Sequence, residues 1–411
     1  MNISPVLSYT YINYPPRQMK CSISCCLILN LLLCETGFMR GGRSRKRIGS
    51  EDSVVPRGKP VSLKSLAGSL GLSPATVSFV LNRSPVAQSI PEETKKRIFA
   101  AAKKLNYRPN FLARSLRAKR SYVIGVIVPE VSEGYVGAVL SGIEDQLLQE
   151  GYCYFVVSHR HKPDLIREFP QLLIQRAVEA IITVDTPCVE GLHLPIAAVS
   201  SHATLEGVTN IVLDHERAAV LAIGHLHELG HRRFALLKGQ SFSSDTEIRW
   251  NALRREIERL GLFLNSKLTA QLEKDNPSPH AGYLATRKIL ANREPFTALV
   301  AFNDISAIGA IRALRESGLR VPEDVSVVGF DDIQSAAFQN PALTTIRQPL
   351  RKMGKLAAKA VLRRIARGAD NPYPKEVTVE PELVVRESTA PAPSMEEPSE
   401  NTTSQYCAQP S

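Results

Sequence analysis

Residues 61–82 read VSLKSLAGSLGLSPATVSFVLN, two short helices joined by a tight turn. Ala67 is the small residue needed where such helices touch, Gly71 stands at the turn, and Val77 is a β-branched residue suited to burial in the second helix. Ser73 is placed to cap that helix, and Pro74 suits its first turn, where an N–H has no intrahelical partner. A helix-turn-helix of this kind lays its second helix in the major groove of duplex DNA.

Working outward, residues 91–107 (PEETKKRIFAAAKKLNY) place Ile98, Ala101, Ala102 and Leu105 at i, i+3, i+4 and i+7, one apolar face of a third helix. Glu92 and Glu93 in its first turn and Lys103 and Lys104 in its last complement the helix dipole. The following stretch, RPNFLARSLRAKRS, is basic and too short to hold a helix alone in water. Residues 40–120 carry 19 Lys and Arg against 4 Asp and Glu, whereas the whole chain has 51 against 40 and a net charge of +11. The positive charge thus sits on the headpiece, over a mildly acidic remainder, and points to a polyanion as partner.

From Tyr122 the pattern changes. YVIGVIVP is a continuous apolar strand, and further apolar runs at 154–157, 180–184, 196–199, 234–237, 298–302 and 325–330 alternate with amphipathic stretches. This is the pattern of βαβ units and buried parallel sheets, in a length that suits two doubly wound lobes. No Gly-x-Gly-x-x-Gly or Walker A stretch is present, so dinucleotide binding and nucleotide hydrolysis gain no support. Of seven cysteines, Cys21, Cys25, Cys26 and Cys34 crowd near the beginning and Cys153, Cys188 and Cys407 are scattered, without zinc spacing. The folded part reads as a reduced, cytoplasmic protein. The apolar run 21–34 has signal-peptide length and Leu31 to Cys34 has a weak lipoprotein pattern, but a translation start at Met39 fits a DNA-binding headpiece better. From about Ser388 the chain is rich in Pro, Ser and Glu, a composition of disorder.

The segments SPATVSFVLN, LNYRPNFLARSLR, IGVIVP, HELGHRRFALLKG, AFNDISAIGAIRALRESGLRVPEDVSVVGFDD and NPALTTIRQPL, in this order and spacing, resemble the lactose-repressor (LacI/GalR) family of bacterial transcription regulators. The resemblance implies a small all-α helix-turn-helix headpiece and an α/β core of two doubly wound, periplasmic-binding-protein-like lobes. It divides the chain into an N-terminal extension (1–59), the headpiece (60–107), a hinge helix (108–120), the core (121–388) and a disordered tail (389–411). It further implies a homodimer, hinge helices that order on double-stranded operator DNA, and no membrane or cofactor.

By the same resemblance Pro74, Ala75 and Phe79 face base edges, while Ser73, Thr76, Ser78 and Asn82 offer polar groups to phosphates or bases. Relatives often carry Arg where this chain has Phe79; Phe can touch a thymine methyl or pack into the headpiece core, and both readings stand here. Asn110, Ala113, Arg114 and Leu116 match the hinge helix, with Leu116 as a minor-groove wedge and Arg114 and Arg117 reaching phosphates. Tyr135, Ser200, Arg249, Asn303 and Asp331 match positions around an effector, sugar-like or nucleobase-like, held between the lobes. Asn303 also suits a helix N-cap, and Asp331 follows a strand, where ligands collect in open α/β folds.

The chain departs from the family at Ser132-Glu133-Gly134-Tyr135-Val136, where only Tyr135 keeps an aromatic, and at Ser200-Ser201, where relatives have Asp-Arg. His225, His227 and His231 lack an acidic partner and read as a surface helix end rather than a metal site. No catalytic nucleophile or carboxylate pair stands out. The reading is a repressor gated by a small molecule, whether as inducer or co-repressor. Its rival is an exported or lipid-anchored solute-binding protein, which has no use for the basic headpiece.

Overall fold

A computed structural model describes residues 61–82, 84–107, 115, 120–131, 134–188, 191–273, 278–368 and 372–393. The headpiece holds α1 (Leu63–Leu70), α2 (Pro74–Leu81) and α3 (Glu92–Lys104). Ser62 caps α1 by accepting the Ser65 N–H at 3.1 Å, and Ser73 caps α2 by accepting the Thr76 N–H at 3.0 Å. Gly71 ends α1 in the left-handed region, φ 66°, a conformation that a Cβ penalises. Leu66, Ala67, Val77, Val80 and Ile98 are buried between the three helices. Leu105 departs from the expected apolar face. Helix α3 stops at Lys104, so Leu105 becomes its C-cap and is exposed.

The core has two six-stranded sheets. The first lobe contains β1 (Val123–Val128), β2 (Cys153–Ser158), β3 (Ala180–Val184), β4 (Ile196–Val199), β5 (Val208–Leu213) and β11 (Glu376–Val379). Its order is β11-β5-β4-β3-β1-β2, parallel throughout. The second lobe contains β6 (Phe234–Lys238), β7 (Thr269–Gln271), β8 (Ala298–Val300), β9 (Ser326–Asp331), β10 (Thr344–Arg347) and β12 (Glu382–Val384). Its order is β12-β10-β9-β8-β6-β7, parallel except for β12 against β10. Every residue of β1, β3, β4 and β5 is buried, as strands covered by helices on both faces must be.

The helices are α4 (Tyr135–Gln149), α5 (Pro163–Gln175), α6 (His215–Glu228), α7 (Asp245–Arg259), α8 (Pro279–Ala291), α9 (Asp304–Glu316) and α10 (Leu350–Arg367). The chain passes between lobes through α6, through α10 and between β11 and β12. Helix α10 returns to pack on α4 and the first sheet, while α6 packs on α7 and the second. At the α4–α10 crossing the missing side chains of Gly142 and Gly354 let each helix rest on the other's backbone, at Arg351 and Val139.

Both sheets reverse strand order beside their first strand, between β1 and β3 and between β6 and β8. Open α/β sheets bind ligands just beyond the carboxyl ends of strands at such switch points. Here the loops after β1, β3, β6 and β8 converge on one cleft.

Two expectations from sequence are corrected in the second lobe. His231 is fully buried rather than part of a surface helix end. Its ring bridges Thr297 Oγ1 at 2.9 Å and the Ala390 carbonyl at 3.0 Å. The chain at 389–392, placed in the disordered tail, is likewise held: Ala390 N–H donates to Ser326 Oγ at 3.0 Å and Ala392 N–H to the Leu229 carbonyl at 2.7 Å. Composition could not show this, because the bonds come from partners more than sixty residues away.

Candidate nucleic-acid interface and ligand cleft

On α2, Val77 and Val80 turn inward, and Ala75, Ser78, Phe79 and Asn82 form a stripe at i, i+3, i+4 and i+7 on the outer side. Phe79 is 39% exposed, which answers the question that the sequence left open: it is not part of the three-helix core. Ser73, Pro74, Ala75 and Asn82 are exposed, and Thr76 and Ser78 half-buried. Ser73 Oγ and Thr76 Oγ1 share a bond of 2.8 Å, and Asn82 Nδ2 donates to Ser78 Oγ at 3.1 Å and to its carbonyl at 2.9 Å. Two hydrogen-bonded pairs, Ser73 with Thr76 and Ser78 with Asn82, are thus held on α2. Asn110, Ala113, Arg114, Leu116 and Arg117, assigned to the hinge, lie outside the described residues, as does Glu133.

Arg120, three positions before β1, is anchored. Its guanidinium donates to Glu179 Oε2 from Nη2 at 2.8 Å and from Nε at 3.2 Å, and it lies over the Tyr122 ring at 5.0 Å. Glu179 also accepts the Tyr122 N–H at 2.7 Å. Burial would raise the Glu179 carboxyl, but the hydrogen bonds from Arg120 and Tyr122 hold it below its ordinary value.

The cleft between the lobes holds about 730 Å³ of space free of protein atoms, its opening to solvent included. Tyr135, Arg249, Asn303 and Asp331 all line it, from four different elements. Ser200 does not line it. It reaches the cleft through Tyr135, whose hydroxyl shares a 2.5 Å bond with Ser200 Oγ. Asn303 is the N-cap of α9 in a capping box with Ser306, and its Oδ1 accepts the Ser306 N–H at 2.9 Å.

Arg249 is 3% exposed and packed between the rings of Phe302 and Phe330, each 4.5 Å away. Its Nη1 donates to the Phe302 carbonyl, its Nη2 lies 3.5 Å from Asp245 Oδ2, and its buried Nε has no hydrogen-bond partner. Gln348 Nε2 donates to Asp331 Oδ1 at 2.6 Å, leaving the buried Gln348 Oε1 without a partner. Asp331 holds φ 108°, Asp185 φ 41° and Ser200 φ 54°, backbone values rare for residues with a side chain. Strain of this kind concentrates at ligand sites, and all three residues stand at strand ends facing the other lobe.

Sequence reasoning missed Asp185, Gln240, Phe242, Asp245 and Gln348, which also line the cleft. Asp185 directly follows β3, Gln240 lies two positions after β6, and Asp245 lies one helical turn before Arg249; strand-end position was the available signal. Asp185 Oδ1 accepts Ser243 Oγ at 3.0 Å and the Ser244 N–H at 3.4 Å, and the Ser200 carbonyl accepts Ser244 Oγ, joining first lobe to second. The His161 and Phe242 rings meet across the same gap, 3.6 Å between centroids.

Three carboxylates thus surround one guanidinium. Burial, then the charge of Asp245, pushes the Asp185 carboxyl up to about 7, against the bonds from Ser243 and Ser244. Burial pushes Asp331 up to about 7 against the pull of Arg249 and Gln348. Burial would also raise Asp245, but His215, His202 and Arg249 hold it well below the usual carboxylate range. Acceptors of hydroxyl hydrogens, one cation and an aromatic rim together suit a neutral, polyhydroxylated molecule; an anion would add to the repulsion.

Residues 62–110 match the bacterial regulatory proteins of the lacI family, and residues 223–389 match the periplasmic binding protein-like domain. The chain is 30% identical over 338 residues to the HTH-type transcriptional repressor PurR of Haemophilus influenzae, covering 80% of this chain and 98% of that protein. It is 32% identical over 341 residues to PurR of Aliivibrio fischeri, with coverage of 80% and 98%. Among solved structures it is similar to the Lac repressor dimer bound to operator and the anti-inducer ONPF, with TM-score 0.69, 28% identity, and 81% and 100% of the two chains covered.

Proposed function

The chain belongs to the lacI family of bacterial regulatory proteins, and on that premise we propose that it is a transcription repressor that binds duplex operator DNA and is gated by a small molecule in the interlobe cleft. The observation that carries this reading is one chain holding both parts. An exposed, hydrogen-bonded stripe, Ala75, Ser78, Phe79 and Asn82, lies on a helix-turn-helix, and a polar cleft lies at the switch points of two sheets. The rival solute-binding reading explains the core and leaves that stripe without a task. Among the described residues no helix is long and apolar enough to cross a membrane.

In this reading Ala75 and Phe79 meet thymine methyls or other apolar base edges, Ser78 and Asn82 offer hydrogen bonds beside them, and the basic residues of the headpiece neutralise phosphates. Two copies acting together match a two-fold-related operator, and the Lac repressor to which the chain is similar is a dimer on its operator. The segment that holds Asn110, Ala113, Arg114, Leu116 and Arg117 is read as contacting the minor groove and its phosphates. Arg120 and Glu179 fix where that segment leaves the first lobe.

The effector is read as a neutral sugar or polyol. Its hydroxyls donate to Asp331 and Asp185, Arg249 Nε and Asn303 supply donors, and Phe242 covers an apolar ring face. Because Asp185 and Ser243 belong to opposite lobes, a ligand bound between them shifts the balance of lobe arrangements by its differential affinity. The cleft is read as a binding site rather than a catalytic one, and contact with the genome places the protein in the cytoplasm.

Capture and sequencing of genomic fragments by the purified full chain at moderate salt tests this reading. Enrichment of a two-fold-related motif is expected. No enrichment, with cell metabolite extract also supplied, overturns it.

A further inference from the structure

At the cleft wall two histidines that do not themselves line the cleft converge on the carboxylate of Asp245, which does. Among the described residues, His202, His215 and Asp245 offer donor atoms that all lie within 4.8 Å of one another. His202 Nε2 is 2.7 Å from Asp245 Oδ1 and His215 Nε2 is 3.2 Å from the same oxygen. The imidazole rings stand 5.6 Å apart and tilted by 54°, so they approach the carboxylate from different directions.

We propose that His202, His215 and Asp245 form a site for a divalent transition metal ion of the zinc class, which clasps the two lobes together. The donor set is two imidazole nitrogens and one carboxylate oxygen, a set that favours zinc and its neighbours over calcium or magnesium. Tetrahedral zinc with ligands at ~2.0–2.1 Å sets donor atoms about 3.3 Å apart. The His215 pair already has that spacing, and the His202 pair needs to open by about half an ångström. Both imidazoles present Nε2, which in the metal-free chain donates to Asp245 Oδ1; on binding the proton leaves Nε2, each ring binds as its Nδ1–H tautomer, and the Nε2 lone pair goes to the ion.

The His202 side chain is 20% exposed while those of His215 and Asp245 are nearly enclosed, which leaves a solvent-facing entry and a fourth position for water.

The site also spans the joint. His202 follows β4 of the first lobe, Asp245 opens α7 of the second, and His215 opens α6, a crossover between them. An ion held by all three would share Asp245 with the cleft and act on the lobe arrangement beside the effector.

Titration of the metal-stripped full chain with zinc chloride, followed by calorimetry and by the fluorescence of Trp250, the only tryptophan and five positions beyond Asp245, tests the proposal. One ion per chain is expected with a change in Trp250 emission, and a loss of affinity of at least tenfold in His202→Ala, the exposed and least disruptive of the three positions. Cobalt(II) should give the intense visible absorption of a four-coordinate ion in the parent and not in His202→Ala. Binding that His202→Ala leaves unchanged, or no saturable binding with the protein shown to be folded by circular dichroism, overturns the site. Neither outcome depends on DNA binding, so the repressor reading stands or falls apart from it.

Discussion

Asp185, at the end of β3 in the first lobe, accepts a hydrogen bond at 3.0 Å from Ser243 Oγ in the second lobe. The bond joins a buried carboxyl, in a backbone conformation with φ 41°, to the loop that leads into the helix of Arg249. Lobe closure and ligand binding therefore act on the same acid. Its ionisation opposes burial, and a donor from a ligand relieves that opposition.

Stability should fall as pH rises across the window that this acid and Asp331 define. Each carboxyl has an ordinary value of 3.8 and is raised to about 7 by burial in the folded chain. Between these values the unfolded chain has released protons that the folded chain still holds, so raising pH favours unfolding; above about 7 the loss is complete. Asp185→Asn should flatten this decline between about pH 4 and 7 and stabilise the protein at pH 8 by up to about 4 kcal/mol. Asp245, held low by His215 and His202 against burial, acts oppositely, losing its contribution as pH falls through the acid range. Chemical denaturation of parent and variant from pH 4 to 8 checks the sign, and parallel curves would show that Asp185 does not titrate in this window.

Phe79→Arg should change which sequence is selected while leaving headpiece stability within about 0.5 kcal/mol, because the ring is 39% exposed and outside the core. Arginine can grip guanine O6 and N7, so selection from random duplexes should move toward G at one position of each half-site. An unchanged motif would show that residue 79 does not face base edges. Val77→Ala, in the core, should instead loosen the headpiece as a whole.

Glu179→Ala should weaken operator binding severalfold and leave effector affinity unaltered. The substitution frees Arg120 and strips an acceptor from the Tyr122 N–H, at a cost of about 1–3 kcal/mol in core stability. Operator affinity and effector affinity measured on the same preparation separate the two roles. If both fall equally, Glu179 supports the lobe in general rather than the exit of the hinge segment.

Gly142→Ala should be among the most disruptive single changes in the first lobe. A Cβ there meets the Arg351 backbone carbonyl of α10, and backbone cannot swing aside as a side chain can. Overpacking of this kind costs about 1–3 kcal/mol and more where the backbone itself must move. A midpoint of thermal unfolding within a degree of the parent would show that the two helices can part without loss.

How much was legible in the sequence follows from where each element draws its support. Strands β1 and β4, buried on both faces, are unbroken apolar runs, and β3 is interrupted by Thr183 alone, so the sequence shows all three. It does not show β5, where VTNIVL contains Thr209 and Asn210, polar yet buried, with Asn210 Nδ2 donating to the Ala203 carbonyl. Strands β11 and β12 are short and half-exposed and exist through pairing with β5 and β10, which no local pattern announces. In the cleft, Arg249, Asn303 and Asp331 were visible through resemblance to a family. Asp185 and Asp245 were hidden because their partners lie 58 and 43 positions away in the chain, at Ser243 and His202. A separation of 159 positions concealed the pairing of His231 with Ala390, which makes an apparent surface helix end a buried strut.

If a ligand between the lobes governs binding of DNA by the headpiece, the affinity of the full chain for its captured operator duplex must depend on that ligand. It should be measured by fluorescence anisotropy against a panel of neutral monosaccharides, disaccharides and polyols. At least one compound should shift the operator Kd by fivefold or more, the usual scale of such coupling, and Arg249→Ala should abolish the shift while operator binding persists. A Kd unmoved across the panel, or a shift that Arg249→Ala preserves, would contradict that dependence.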